Sequence, residues 1–455
     1  MRSAIVLAAG KGTRMKSDKC KVMHEVLHKP MIGHIVESLR KANVDRIVVV
    51  VGHGAESVKE YLKDSVEYAL QEPQLGTGHA AMQAEMLKEE KGDTIILCGD
   101  GPCIQSETIL KVFEANKDHA CSVVTAVLED GARYGRIVRN EKNLVEKIVE
   151  AKDCSSEELE IKEINTGIFC FKNELLFEGL KEIKNNNAQN EYYLTDLVEI
   201  FNKKGLSVNA MVVDDVDETM GVNDRVDLAK AQKWLKQHVN KKHMMNGVTL
   251  IDPDNTYIDT EVSIGVDSVI YPNVHLEGNT VIGNNVTIFP NSYLRNAVIE
   301  DGAVIDSSKV VESKVGANST VGPMSHLRNN TVVASNCRIG NFVEFKNTNF
   351  GEGSKCAHLT YVGDSDVGKG VNFGCGVVTV NYDGKNKFRT TIKDGAFIGS
   401  NCNLIAPVTI GENALLAAGS TITSSVEDGD MGIARSRQSI KKGYGTVYKL
   451  SLIHI

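Results

Sequence analysis

Leu7-Ala8-Ala9-Gly10-Lys11-Gly12-Thr13-Arg14-Met15 is the stretch on which the reading of this chain turns. The apolar run 4–9 reads as a buried strand that breaks at Gly10 into a loop, with Gly12 one residue farther on. Glycines let the backbone approach a ligand closely, so consecutive N–H groups can point at phosphate oxygens. Lys11 and Arg14 add the positive charge that a triphosphate needs. No Gly-Lys-Ser/Thr follows at the spacing of a Walker A loop, and Gly-x-Gly alone is incomplete as a dinucleotide fingerprint.

Outward from this loop, residues 1–225 alternate strand-like and helix-like segments. Apolar runs at 47–51, 94–98, 122–127, 167–171 and 208–213 are separated by amphipathic stretches such as 32–41 and 80–90. That alternation predicts a mostly parallel sheet covered on both faces, with ligands beyond the carboxyl ends of its strands. Gly10, Gly52 and Asp100 all fall just past predicted strands and are expected to converge on one crevice.

From about 224 to 245 a single stripe at helical spacing, Leu228, Ala231, Leu235 and Val239, predicts one long helix that Gly247 ends. Beyond it the texture changes. An aliphatic residue followed by glycine recurs at Ile264-Gly265, Ile282-Gly283, Val315-Gly316, Val321-Gly322, Ile339-Gly340, Val362-Gly363, Val367-Gly368, Ile398-Gly399 and Ile410-Gly411. Gly265 to Gly283 is eighteen residues, Gly316 to Gly322 six, Gly322 to Gly340 eighteen, Gly363 to Gly399 thirty-six and Gly399 to Gly411 twelve. Hexapeptide repeats of this kind build a parallel β-helix of triangular coils, with aliphatic side chains pointing inward. Register slips between the blocks read as loops, and Asn381-Tyr382-Asp383-Gly384-Lys385 has the turn chemistry of one.

At 455 residues the chain exceeds one ordinary core. Its 51 Lys+Arg against 59 Asp+Glu give a net charge of −8, which argues against non-specific nucleic-acid binding. The ten cysteines include no C-x-x-C pair, so neither a zinc site nor a disulfide framework is implied, and free thiols suit a reducing cytosol. No stretch reaches the ~18 apolar residues of a membrane span. The N-terminal apolar run is too short for a signal peptide and is followed by Lys11, Arg14 and Lys16, so the expected location is cytoplasmic.

The string 7–15 resembles the signature loop of the sugar-phosphate nucleotidyltransferases. With the repeat half added, the chain resembles over 4–435 the bacterial bifunctional enzymes in which a glucosamine-1-phosphate acetyltransferase is fused to an N-acetylglucosamine-1-phosphate uridylyltransferase. The resemblance implies a Rossmann-like α/β nucleotidyltransferase domain at 1–225, a linker helix at 226–247, a left-handed parallel β-helix acetyltransferase domain at 248–436 and a C-terminal arm at 437–455. It implies two reactions that supply UDP-N-acetylglucosamine for peptidoglycan and lipopolysaccharide. Acetyl-CoA is the acetyl donor, UTP the uridylyl donor and Mg2+ the metal. It also implies a homotrimer with sites between subunits, small-molecule substrates as the only other partners, and neither nucleic-acid binding nor membrane insertion.

Carried onto this sequence, the family's uridylyl site comprises Leu7, Ala8, Ala9, Gly10 and Gly12, with Arg14 and Lys21 as the catalytic cations. Cys20 stands where the family usually has proline, which leaves that loop freer. The stretch Gln71-Glu72-Pro73-Gln74-Leu75-Gly76-Thr77 resembles the uracil reader; a glutamine amide carries a donor and an acceptor side by side, as a uracil edge requires. Asp100, in Cys98-Gly99-Asp100-Gly101-Pro102, is a hard oxygen ligand of the kind Mg2+ prefers, and Asn223 resembles the second ligand. Gly135, Glu150 and Asn165 match the sugar-binding positions. An oxygen of the sugar phosphate attacks the α-phosphorus of UTP, so this chemistry needs positioning and charge neutralisation but no protein nucleophile.

In the repeat half, Arg328, Lys346, Tyr361, Asn372 and Lys387 match sugar-phosphate contacts. Cys375, Asn381, Tyr382, Ser400, Ala418 and Arg435 match acetyl-CoA contacts, and Asn372 and Asn381 orient the amine and acetyl group. A protonated amine cannot attack a thioester, and histidine titrates near neutrality, so His358 is the expected general base. Cys375 replaces a residue that is usually alanine and is read as packing, not as an acyl carrier. His24-Glu25-Val26-Leu27-His28 fits the H-E-x-x-H zinc pattern literally, but Pro30 stops any helix at once. Two rivals remain at this point: a single-activity nucleotidyltransferase with an assembly module, and a non-catalytic sugar-nucleotide sensor. The first has no use for His358 with Arg328 and Lys346, the second none for Asp100 with Asn223.

Overall fold

Apolar side chains occupy both faces of the strand Arg2–Ala8, and this double burial organises the N-terminal half into three layers. In the computed structural model, which describes residues 1–131 and 133–451, the chain forms two units, Met1–His238 and Val239 onward. The sheet of the first unit runs in the order Val208–Val212, Cys121–Val127, Glu163–Lys172, Asp93–Cys98, Arg2–Ala8, Arg46–Val51, Glu67–Leu70. All neighbours in this order are parallel except Glu163–Lys172, which runs antiparallel to the strand on either side and to Arg136–Arg139.

Alternate residues part to the two faces, as the period of two demands. Ile5, Val48, Val50, Ile96 and Phe171 pack with Leu176, Leu180, Leu197 and Phe201 of the helices Asn173–Leu180 and Asp196–Lys203. Ala4, Val6, Val49, Val51, Ile95 and Leu97 pack with Ile32, Ile35, Leu39 and Phe113 on the other side. Each of the larger side chains among these contributes about 1.5–3 kcal/mol on burial. The segment 80–90 is not one helix: Thr77–Met82 ends early, and a 3-10 turn follows at Glu85–Leu87. Asn173 Nδ2 donates to the Leu87 and Glu90 carbonyls at 2.6 and 2.8 Å, so a distant side chain holds the backbone that a longer helix would use.

His24 and His28 lie on a tight hairpin. Glu25–Val26 pairs antiparallel with Lys29–Pro30, and Leu27 and His28 take φ 45° and 56° between them. The H-E-x-x-H string therefore has no helix to present its histidines on one face. The long helix is Arg225–Met245. No helix among the described residues is long and apolar enough to cross a membrane.

The second unit is a parallel β-helix of strands mostly two to four residues long. One inward column, Ile282–Ile299–Val315–Val333–Phe350–Val367–Ile392–Ile410, is linked by parallel register from coil to coil. A second column is Leu250–Ile270–Ile288–Ile305–Val321–Ile339–Cys356–Phe373–Ile398–Leu416. The glycines after the aliphatic positions keep room for the next coil: a Cβ on Gly316 would lie 2.5 Å from the Ala334 carbonyl carbon.

The register slips have two origins. Between Gly283 and Gly316 the coils shorten, with partners seventeen residues apart at Ile282–Ile299 and sixteen at Ile299–Val315, and no loop is added. Between Val367 and Ile392 the coil lengthens to twenty-five residues, and the insertion is the loop at 381–388, closed by an antiparallel Tyr382–Lys387 bridge. The thirty-six residues from Gly363 to Gly399 therefore join two different faces: Val362 pairs with Phe345, and Ile398 with Phe373.

Candidate functional sites

The strand ends of the first unit meet as expected. Lys21, on the 3-10 turn Lys21–Met23, donates from Nζ to Asp100 Oδ2 at 2.5 Å and to Asn223 Oδ1 at 3.1 Å. Arg14 Nη2 donates to the same Asn223 oxygen at 2.8 Å. Asn223 is braced by Asp227, whose Oδ2 accepts from the Asn223 N–H at 3.2 Å and from Arg133 at 2.8 Å. Two hard oxygens thus converge on one cation, the Lys21 ammonium. That donor set fits Mg2+, which takes one or two protein oxygens and completes its octahedron with water and phosphates. Burial, and then the Asp100 charge, push the neighbouring Cys98 thiol up to about 12, so it stays protonated and offers no soft thiolate.

Three lobes open around Cys98. The largest, about 260 Å3, is lined by Leu7, Ala8, Ala9, Gly10, Lys21, Gln71, Gly76, Thr77 and Asp100 among others. Gly10 has nothing within 4 Å of where a Cβ would stand, so its backbone is open to a ligand. Gly12, at φ 61°, instead packs against the Lys21 stem. Gln71 is buried, and its Nε2 already donates to the Gly76 carbonyl at 3.0 Å, which directs its carbonyl oxygen to other partners. The second lobe, about 200 Å3, gathers Gly135, Glu150 and Asn165 with Thr77 and Cys98. Burial raises the Glu150 carboxyl, and Thr195 Oγ1 donates to it at 3.3 Å. The third, about 160 Å3, holds Asp100 and Asn223 with Tyr134 and Glu218.

Cys20 is buried at φ −51°, close to the angle a proline ring imposes, and its Sγ approaches the His53 carbonyl at 3.5 Å. The thiol thus ties the turn before Lys21 to the loop after Arg46–Val51. Gln74, Cys98, Glu191 and Tyr134 line the lobes without having been singled out from sequence. Gln74 and Cys98 lay inside motifs already quoted; Glu191 and Tyr134 gave no local signal.

In the second unit Arg328 and Lys346 are register partners on adjacent coils, and Lys346 pairs onward with Gly363. Arg328 Nε donates to Glu344 Oε1 at 2.8 Å. Lys346 hydrogen-bonds Lys387, and this contact, opposed by burial and aided by the Asp364 charge, raises Lys346; Lys387 is lowered by the same neighbour. The Tyr361 ring covers Gly363, where a Cβ would lie 2.6 Å from Cζ. Asp364, unforeseen from sequence, accepts from Lys346, Asn347 and Asn381. Glu344 carried a weak signal: two residues from Lys346 on one strand, it shares its face.

The remaining residues lie on a neighbouring face and corner. His358 ends the strand Lys355–His358, is exposed, and is the register partner of Asn341. Asn372 stands on the next coil, paired with Lys355 and Phe397. Exposed Cys375 accepts the Asn401 N–H at its carbonyl, Ser400 abuts Gly374, and Arg435 Nη1 donates to the Ala418 carbonyl at 2.8 Å. Tyr382 is exposed and donates to the Gly384 carbonyl at 2.7 Å.

Three family models match: a MobA-like NTP transferase domain over residues 4–185, a GMPPB C-terminal domain over 253–349 and a bacterial transferase hexapeptide of six repeats over 389–424. The chain is 54% identical over 444 residues to the bifunctional protein GlmU of Exiguobacterium sibiricum, covering 97% of this chain and 99% of that one. The chain belongs to the bifunctional GlmU family. The GlmU proteins of Acetivibrio thermocellus and Clostridioides difficile are 51% and 50% identical, each covering 97% of this chain and 96% of their own. Membership thus extends over both units and both residue clusters.

Proposed function

We propose that this chain makes UDP-N-acetylglucosamine at two separate sites: it transfers acetyl from acetyl-CoA to glucosamine-1-phosphate, then transfers UMP from UTP to the product and releases pyrophosphate. The observation that carries the reading is the pair of cation-and-oxygen clusters, Lys21–Asp100–Asn223 in one unit and Arg328–Lys346–Lys387 in the other, within a chain matched end to end by bifunctional relatives.

In the first unit, Gly10 and its neighbours cradle the triphosphate, and Gln71, Gly76 and Thr77 receive the uracil. Gly135, Glu150 and Asn165 hold the sugar, and Lys21 and Arg14 neutralise charge on the phosphates. Asp100 and Asn223 would hold Mg2+, which supplies Lewis-acid neutralisation of the α-phosphate and the leaving pyrophosphate. In the second unit, Arg328, Lys346, Tyr361 and Lys387 grip the sugar phosphate, with Asn372 beside the amine. His358 removes the amine proton so that nitrogen can attack the thioester carbonyl, and coenzyme A leaves as thiol. Asn381, Tyr382, Cys375, Ser400, Ala418 and Arg435 line the coenzyme path. A homotrimer and a cytoplasmic location complete the reading; sedimentation velocity tests the first and fractionation the second.

Two assays on the purified chain test the function. Glucosamine-1-phosphate with acetyl-CoA should release free thiol, and N-acetylglucosamine-1-phosphate with UTP and Mg2+ should release pyrophosphate. EDTA should stop only the second. A chain that catalyses one reaction and not the other refutes the proposal.

A further inference from the structure

The loop inserted into the coil between Val367 and Ile392 is held at both ends by one strand, Tyr361–Val367. At its start, Asn381 Nδ2 donates to Asp364 Oδ2, and the Asn381 carbonyl accepts the Phe388 N–H at 2.9 Å. At its end, Arg389 grips Asp366 through Nε at 2.8 Å and Nη2 at 2.5 Å, and Nη2 reaches the Ser365 carbonyl at 3.1 Å. Asp364 is 5% exposed and also accepts from Asn347 Nδ2 at 2.6 Å and faces the Lys346 ammonium at 3.5 Å. Asp366 takes a further bond from Asn349 at 2.7 Å.

We infer that Asp364 and Asp366 form a two-point clamp that positions the inserted loop, so that Lys387 lies against Lys346 and the two amines make one phosphate grip. Neither aspartate touches substrate in this account; both are positioning residues, and the inference rests on the acetyl-transfer reading of the site. The physical case is a matter of cost. Like charges in contact repel, and the Lys387 amine is lowered by its contact with Lys346. A free eight-residue loop would swing Lys387 into water. The clamp spends charge-assisted hydrogen bonds, roughly twice as strong as neutral ones, to hold the cations together until an anion arrives. Burial pushes the Asp364 carboxyl up, but the Asn347 and Asn381 amides and the Lys346 ammonium outweigh it, so the group stays ionised. The strand turns at Asp364, φ 47°: Tyr361 before it pairs with Val378 and Ser365–Val367 after it with Thr390–Ile392, the two strands that flank the loop, which is why a single strand can hold both ends.

The experiment compares D364N and R389A with the parent in full-length protein, reading acetyl transfer, uridylyl transfer and melting. The parent's own acetyl transfer comes first, and its absence would fail the reading of the site rather than the clamp. D364N should raise KM for glucosamine-1-phosphate about tenfold or more, leave KM for acetyl-CoA within twofold, and leave uridylyl transfer unchanged. R389A, at an exposed position, should show the same split at about threefold. If D364N does not fold, R389A decides alone. A KM for glucosamine-1-phosphate within about 1.5-fold of the parent in R389A, or within twofold in a folded D364N, overturns the clamp, as does a parallel rise in both substrates' KM values.

Discussion

On the proposed reading the two units meet the same problem, holding a sugar or nucleotide phosphate, with different shares of backbone and side chain. The first would add backbone to its Lys21 and Arg14 cations: a Cβ on Gly10 would meet nothing within 4 Å, which leaves the main chain there open. The second, on the proposed reading, uses side chains projected from a scaffold in which the glycines that follow inward aliphatic residues, such as Gly316, Gly340 and Gly399, are pressed on the next coil. Gly10 leaves space for a substrate; Gly316, Gly340 and Gly399 leave space for the next coil. The difference follows from architecture, since a parallel sheet ends in free loops while each coil of a β-helix is covered by the next.

The largest test of that separation is a pair of truncations. Asp100→Ala removes one of the two oxygens around the Lys21 ammonium and is expected to lower uridylyl transfer by about a thousandfold or more. Acetyl transfer should be unaffected. His358→Ala should cost acetyl transfer about a hundred- to a thousandfold and spare uridylyl transfer. Separate coupled assays on each variant check both, and a loss of both activities in either variant would break the comparison.

Glycine substitutions probe the contrast directly at a smaller scale. Gly10→Ala adds a methyl group into open space, so melting should be unchanged while kcat/KM for UTP falls about tenfold. Gly316→Ala forces a methyl group onto the Ala334 carbonyl and should destabilise the β-helix by about 2 kcal/mol, with uridylyl transfer at 25 °C intact. Denaturant unfolding and steady-state kinetics on both variants separate the outcomes. The reverse pattern would mean that the two kinds of glycine had been misread.

Legibility in the sequence followed the same division. The loop after Ala8 was readable because phosphate binding by backbone needs glycines in a short contiguous string. The coils were readable because the repeat is periodic, yet the period misled where it was imperfect. The span from Gly363 to Gly399 is a multiple of six although those residues lie on different faces, because an insertion and a short coil compensate. Asp364 was invisible as a site residue, since its partners come from other coils and no local spacing announces it, while Glu344 offered only its place two residues from Lys346. The antiparallel strand Glu163–Lys172 was equally silent, because an apolar run carries no sign of its direction.

The smallest expected effect concerns carboxylates, and it sharpens the contrast from another side. Asp364 in the second unit is lowered because amides and an ammonium face it. Asp196 in the first is raised to about 6, through burial first and then the charges of Glu199 and Asp153. A raised acid is protonated in the folded state while still ionised in the unfolded chain, so its contribution to stability is lost as pH climbs from about 4 towards 6. Asp364 runs the other way: its contribution is present above the ordinary carboxylate range and fades as pH falls below it. Asp196→Asn should therefore raise the melting temperature by about 2 °C at pH 7.5 and by much less at pH 4.5, since partial exposure of the group screens the effect. Paired thermal melts at the two pH values decide it. Equal gains at both would trace the change to packing at the start of the helix Asp196–Lys203 and remove charge from the account of that site.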